Sequence, residues 1–311
     1  MTGPRCSDGS TVVDEPLAGT APYAVSWVAL EQNGPWGARA LTESHLDPDV
    51  GRVLEESAAA HDVRPSLIRR PGRHADAPSD REPARRVLVA HTRPGRTWLL
   101  EGTVARPEQL LDADWAALRD GDLAAVRRSL PSLSPTLRTH LLVCTNARRD
   151  VCCALKGRPV ALGAAVSHPD RVWEVTHTSG HRFAPTAVVL PAGTLHGRLD
   201  VASAVGLLEA AGCGETVVAG SRGRSTWPAP AQAAELAVRE QTGELGLDAL
   251  EVAGHEEIGD RTWTTWVRHS DGRSWQVHVE ARESDVLRAE SCGKALKPMV
   301  WFTESIEQPA S

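Results

Sequence analysis

Short apolar runs broken by Gly, Pro and Asp set the rhythm of this chain. Residues 24–30 (AVSWVAL) are apolar throughout and predict a strand buried on both faces. The NGPWG motif at 33–37 ends it. Residues 38–61 read as a helix interrupted near Pro48, and residues 65–70 as a second strand. Residues 86–91 and 97–102 form a hairpin around Arg93-Pro-Gly95, and a helix is predicted over 107–130.

The same order returns further along. Residues 138–143 (RTHLLV) predict a strand, 158–166 a helix and 172–176 a strand. Residues 186–190 and 195–199 pair around Pro191-Ala-Gly193, and an amphipathic helix runs over 200–211 with Asp200 as its N-cap. The pattern β, α, β, hairpin, α thus occurs twice. It is the element order of a thioredoxin-like unit, and the fold expected is α/β (α+β) with two such units in tandem. A single larger α/β domain satisfies the same order. After GSRGR at 220–224, residues 232–242 predict a helix. Amphipathic strands follow at 249–255, 262–269 and 274–280, the last two joined by the Ser270-Asp-Gly-Arg273 turn. The expected organisation is an N-terminal unit without ligands (1–135), a ligand-bearing unit (136–215) and a small α+β extension (216–311).

A net charge of −6 with only three lysines (Lys156, Lys294, Lys297) argues against a nucleic-acid partner, which wants clustered basic charge. No apolar run approaches a membrane span, and MTGPRCSDGS lacks the apolar core of a secretory signal, so a cytoplasmic protein is expected. Six cysteines in such a chain point to thiol, metal or redox use rather than a disulfide scaffold.

Four of the donors carry the chemistry. Cys144 ends a predicted strand, Cys153 precedes a predicted helix, and His177 and His181 follow the neighbouring strand. Thiolate with imidazole is a ligand set for zinc or for a [2Fe-2S] cluster with one histidine-ligated iron. The wide Cys144–Cys153 loop suits a diiron cluster better than the close pairs of zinc fingers, although zinc also accepts two Cys and two His. Cys152 stands beside Cys153 and leaves the ligand register open by one residue. Trp36 is expected to plug its loop. His140, His168 and His196 read as surface or turn histidines, Cys6 as mobile, Cys213 as buried and Cys292 as an inert thiol. The Arg-rich stretch 64–86 reads as a solvated loop able to dock an acidic redox partner, and GSRGR as a weak phosphate-binding candidate. No carboxylate pair stands out as a catalytic acid and nucleophile.

On the motifs GTAPY, NGPWG, VCTNARRDVCCALKG, HTSGHRFAPT and VVLPAGTLHGRLD, residues 6–211 resemble the sucrase/ferredoxin-like family, a relative of the thioredoxin-like [2Fe-2S] ferredoxins. The resemblance implies an electron-transfer domain holding a [2Fe-2S] cluster on two Cys and two His. It places Cys153 in register as the second thiolate, with Cys144 and Cys153 on one iron and His177 and His181 on the other. Exchanging two thiolates for imidazoles raises the reduction potential, and an imidazole N–H can couple electron uptake to proton uptake. The expected role is a redox carrier working between a separate reductase and an acceptor, since the chain has no dinucleotide fingerprint. The alternatives are a zinc-stabilised structural or adaptor protein built on a Cys2His2 site, and a thiol-disulfide oxidoreductase using Cys152 and Cys153. Adjacent cysteines form strained disulfides, which disfavours the last.

Overall fold

The computed structural model describes residues 5–72 and 84–307. Residues 73–83 of the Arg-rich stretch expected as a loop lie outside them. A short helix α1 (Cys6–Val12) precedes the first strand, β1 (Ser26–Glu31). Helix α2 (Pro48–Ala59) leads to β2 (Val63–Arg69), and β3 (Arg85–His91) and β4 (Trp98–Val104) form the hairpin. The helix expected from residue 38 starts only at Pro48, because proline disfavours helical backbone before it and tolerates the first helical position. Asp47 caps it, accepting from the amides of Asp49 (2.8 Å) and Val50 (3.4 Å). Asp47→Ala is expected to cost about 1 kcal/mol, read as a lower urea midpoint at unchanged slope.

Between β4 and β5 (Leu133–Thr136), the single helix expected over 107–130 is instead a 3-10 turn (Pro107–Asp112) and two short helices, α3 (Trp115–Asp120) and α4 (Leu123–Ser129). Asp114 and Asp122 each start a new helix by accepting an amide hydrogen bond, from Ala117 and Ala125. Gly121 ends α3 in the left-handed region (φ 79°), where a Cβ would also sit 2.7 Å from the His91 ring.

The second half holds β6 (His140–Cys144), α5 (Val151–Ser167), β7 (Val172–Val175), β8 (Ala187–Leu190), β9 (Thr194–His196) and α6 (Val201–Gly212), the last capped by Asp200 as expected. A further strand, β10 (Ser221–Arg224), adds to β9. One ten-stranded mixed sheet results, in the order β10-β9-β8-β6-β7-β2-β1-β3-β4-β5. Its halves repeat. β1 pairs with β2 in parallel and with β3 antiparallel; β6 pairs with β7 in parallel and with β8 antiparallel. The halves join where β2 meets β7 antiparallel, Ile68 opposite Val175 and Arg69 opposite Glu174. Alternation along the strands divides the side chains. Val28 and Leu30 enter a cluster with α2, α3 and α4, and Leu141 and Val143 one with α5 and α6. Trp27, Ala29, Ile68, Leu142, Cys144 and Trp173 join a third cluster that spans both halves.

The chain then forms α7 (Ala229–Thr242), packed on an antiparallel sheet of β11 (Leu250–Gly259), β12 (Thr262–His269), β13 (Ser274–Glu283) and β16 (Val300–Glu307). Between β13 and β16 a small hairpin, β14 (Arg288–Ala289) and β15 (Leu296–Lys297), reaches back to α1.

Candidate metal centre

β6 is buried along its whole length and delivers Cys144 at its C-terminal end. The chain turns, and Asp150 caps α5 by accepting from the Cys152 amide (2.8 Å). The helix therefore begins seven residues earlier than expected, with Cys152 and Cys153 in its first turn. β7 lies beside β6 in parallel, so the loop that follows it leaves the same edge of the sheet. That loop carries His177, and His181 opens a 3-10 turn (His181–Phe183).

These elements bring the four predicted donors together. The Cys153 Sγ lies 3.5 Å from the His181 Nδ1, and the rings of His177 and His181 stack with centroids 4.8 Å apart. The Cys144 Sγ lies 3.9 Å from the Thr176 carbonyl, and the neighbouring Cys153 and His177 hold its thiol well below the ordinary range. The neighbouring Cys144, with burial, pushes the Cys153 thiol up. Burial lowers His177 and draws His181 down to about 4. The shifts of Cys144, His177 and His181 run toward thiolate and neutral imidazole, the forms that bind metal, while Cys153 would release its proton on binding. The His177 Nδ1 is buried without a hydrogen-bond partner, as suits a ring nitrogen reserved for a ligand. Both sulfurs are buried and both imidazoles half-buried, so the histidine side faces outward.

Two arginines that sequence reasoning passed over hold the histidine loop. Arg64 was read as part of a solvated stretch. Its Nη2 donates to the His177 carbonyl and to the Ser179 Oγ, both at 3.2 Å, and its guanidinium lies over Trp27. Arg222, from the glycine-rich GSRGR, is fully buried in β10 and donates to the carbonyls of Thr178 (3.2 Å) and Ser179 (3.1 Å). Gly180, at φ +67°, makes room for it, since a Cβ there would stand 2.5 Å from its Nη2. Burial pulls Arg64 to about 10 and Arg222 to about 9, so both keep their charge at neutral pH. Polar SRGR gives no strand periodicity; the only local signal for Arg222 was the glycines that let it approach.

Cys152 points elsewhere. Its Sγ lies 3.7 Å from Cys6 and 3.3 Å from Cys292, and Cys6 and Cys292 are 3.4 Å apart. With Asp150 they form a buried, metal-capable group whose ligand atoms all lie within 4.8 Å of one another. Cys6 is buried in α1 rather than mobile, and Cys213, expected to be buried, is exposed at the end of α6. His140 and His196 are buried, not surface residues: His140 bonds Glu101 (3.2 Å) and the Trp173 indole (3.2 Å). Trp36 closes its loop as expected, its indole donating to the Gln32 carbonyl at 2.9 Å. Among the described residues no helix is long and apolar enough to cross a membrane.

Residues 17–223 match the family model described as sucrase/ferredoxin-like. No curated protein and no solved structure matches the chain.

Proposed function

We propose that this chain, which belongs to the sucrase/ferredoxin-like family, is an electron carrier of the cell interior that holds a [2Fe-2S] cluster on Cys144, Cys153, His177 and His181, in the second of two thioredoxin-like halves. The observation that carries the reading is the meeting of two thiols and two imidazoles at one edge of the sheet, with the Cys153 Sγ 3.5 Å from the His181 Nδ1. Cys144 touches Cys153, and His177 stacks on His181. Yet the four ligand atoms are not gathered within 4.8 Å as those of the Cys6 group are. A single tetrahedral ion draws its donors onto one centre at about 2.0–2.3 Å. Donors spread more widely than that suit two irons, with thiolates on one and imidazoles on the other.

When bound, such a cluster supplies a one-electron couple, at about −150 to +300 mV for histidine-ligated centres against about −400 mV for plant-type clusters. The chain's own residues tune it. Arg64 and Arg222 bring fixed positive charge to the histidine loop and favour the state with more negative charge, which is the reduced one. A groove of about 270 Å³ opens beside His177 between Arg39, Arg64 and Arg149, a basic approach for an acidic redox partner.

The test is iron and zinc analysis with a visible spectrum on anaerobically purified protein. About two irons per chain at this site, with absorption that dithionite bleaches, are expected. Zinc in place of iron, lost on Cys144→Ser, would overturn the reading in favour of the structural-zinc alternative. Imidazole-linked proton uptake predicts a midpoint that falls as pH rises, approaching about 59 mV per pH step for one electron and one proton. A midpoint flat from about pH 6 to 10 would remove the proton coupling.

A further inference from the structure

The three remaining clustered thiols have no part in that site. Cys6 comes from α1, Cys152 from the first turn of α5 and Cys292 from the turn of the β14–β15 hairpin. Cys6 and Cys292 both lie outside residues 17–223, so the cluster is a construction of this chain beyond the segment matched to the family. We propose that Cys6, Cys152, Cys292 and Asp150 form a second metal site, a structural Cys3Asp centre for one zinc ion.

The geometry supports a single soft divalent ion. The three Sγ···Sγ separations are 3.7, 3.3 and 3.4 Å, and the Asp150 carboxylate oxygens lie 3.6 and 3.8 Å from the Cys6 Sγ. A tetrahedral ion with Zn–S near 2.3 Å has ligand–ligand edges of about 3.8 Å, so the donors already stand close to the corners of such a tetrahedron. Three thiolates exclude calcium and magnesium, which take oxygen ligands. An iron–sulfur cube spreads its cysteines over several metal atoms, and donors this close leave room for one ion. Disulfide chemistry does not account for the group either: one bridge would use two of the three sulfurs and strand the third beside a carboxylate.

The carboxylate is fixed as an outer shell would fix it. Its Oδ2 accepts from the Ser291 Oγ and the Cys292 amide, both at 2.7 Å, while its Oδ1 accepts from the Cys152 amide. Asp150 is thus N-cap, ligand and clamp at once. On binding, the ion displaces the thiol protons, so three thiolates and one carboxylate face it. It would tie the N-terminal helix and the C-terminal hairpin to the turn that carries Cys153. This gives the third segment a role: its hairpin closes the site over the start of α5.

The test uses the full chain, purified anaerobically from zinc-supplemented medium, with zinc and iron measured separately. About one zinc per chain is expected. Cys292→Ser, at a half-buried hairpin turn, should lose it and keep the iron, and Cys292→His, which restores a donor, should recover it. Cys144→Ser should do the reverse, losing iron and keeping zinc. That contrast separates failure of this site from failure of the [2Fe-2S] reading. Zinc at background in the wild type, whether its thiols are free or paired in a disulfide, would overturn the proposal. So would zinc that survives Cys292→Ser.

Discussion

Cys153→Ser is expected to purify colourless, with iron falling from about two per chain to near background, while Cys152→Ser should stay coloured and keep its iron. Two neighbours on one helical turn give opposite results because they face different groups. Cys153 lies in the core cluster with Cys144 and 3.5 Å from the His181 ring. Cys152 packs instead with Cys6 and Ala184 and faces Cys292. A serine hydroxyl at 153 is a poor iron ligand. A serine at 152 removes one corner of the other group and should lower zinc alone. Iron content, visible absorption and the dithionite difference spectrum read the outcome. A coloured Cys153→Ser beside a colourless Cys152→Ser would move the thiolate register by one residue and break the present assignment.

What the sequence made legible was whatever is local. β1 shows itself as an unbroken apolar run because both its faces are buried, and β3 and β4 through the Pro-Gly turn between them. That Cys144, Cys153, His177 and His181 come together was legible because strand–loop–helix spacing places the two cysteines and the neighbouring strand places the two histidines. What stayed hidden depends on partners distant in sequence. Cys6 and Cys292 are separated by nearly the whole chain, so no spacing motif joins them; only α1 and the β14–β15 hairpin bring them to Asp150. β10 is polar in sequence, yet all four of its residues are buried, Arg222 on carbonyls of the histidine loop and Arg224 on the Leu247 carbonyl. The helix expected over 107–130 follows the apolar period correctly, but that period carries no information on Asp114 and Asp122 restarting the chain. Sequence order likewise could not say whether the two β, α, β, hairpin units stand apart or share a sheet, because that is decided by the pairing of β2 with β7.

That junction carries the second large expected effect. Arg69→Met is predicted to destabilise the fold by about 3–5 kcal/mol, a large share of a total of about 5–15 kcal/mol. Arg69 and Glu174 face each other across β2 and β7, with side chains 4% and 0% exposed and Nη2 2.7 Å from Oε2. The guanidinium also stacks on Trp36, 4.1 Å from the ring centre, and Glu174 accepts from the Thr145 hydroxyl at 2.9 Å. Methionine keeps the packing over Trp36 but leaves a carboxylate buried without its cation, and this uncompensated charge, more than the lost attraction, sets the cost. Glu174→Gln paired with Arg69→Met should recover a substantial part of the loss, because neither charge then remains to be buried. Urea unfolding of the two single variants and the double, read as a double-mutant cycle, gives the coupling. Thr145 follows Cys144 directly, so Arg69→Met should also speed the loss of iron to a chelator while leaving the spectrum of the loaded protein unchanged. A single-variant cost below about 1 kcal/mol would mean that water reaches this pair and that the two halves are held by their strand pairing and shared apolar core instead.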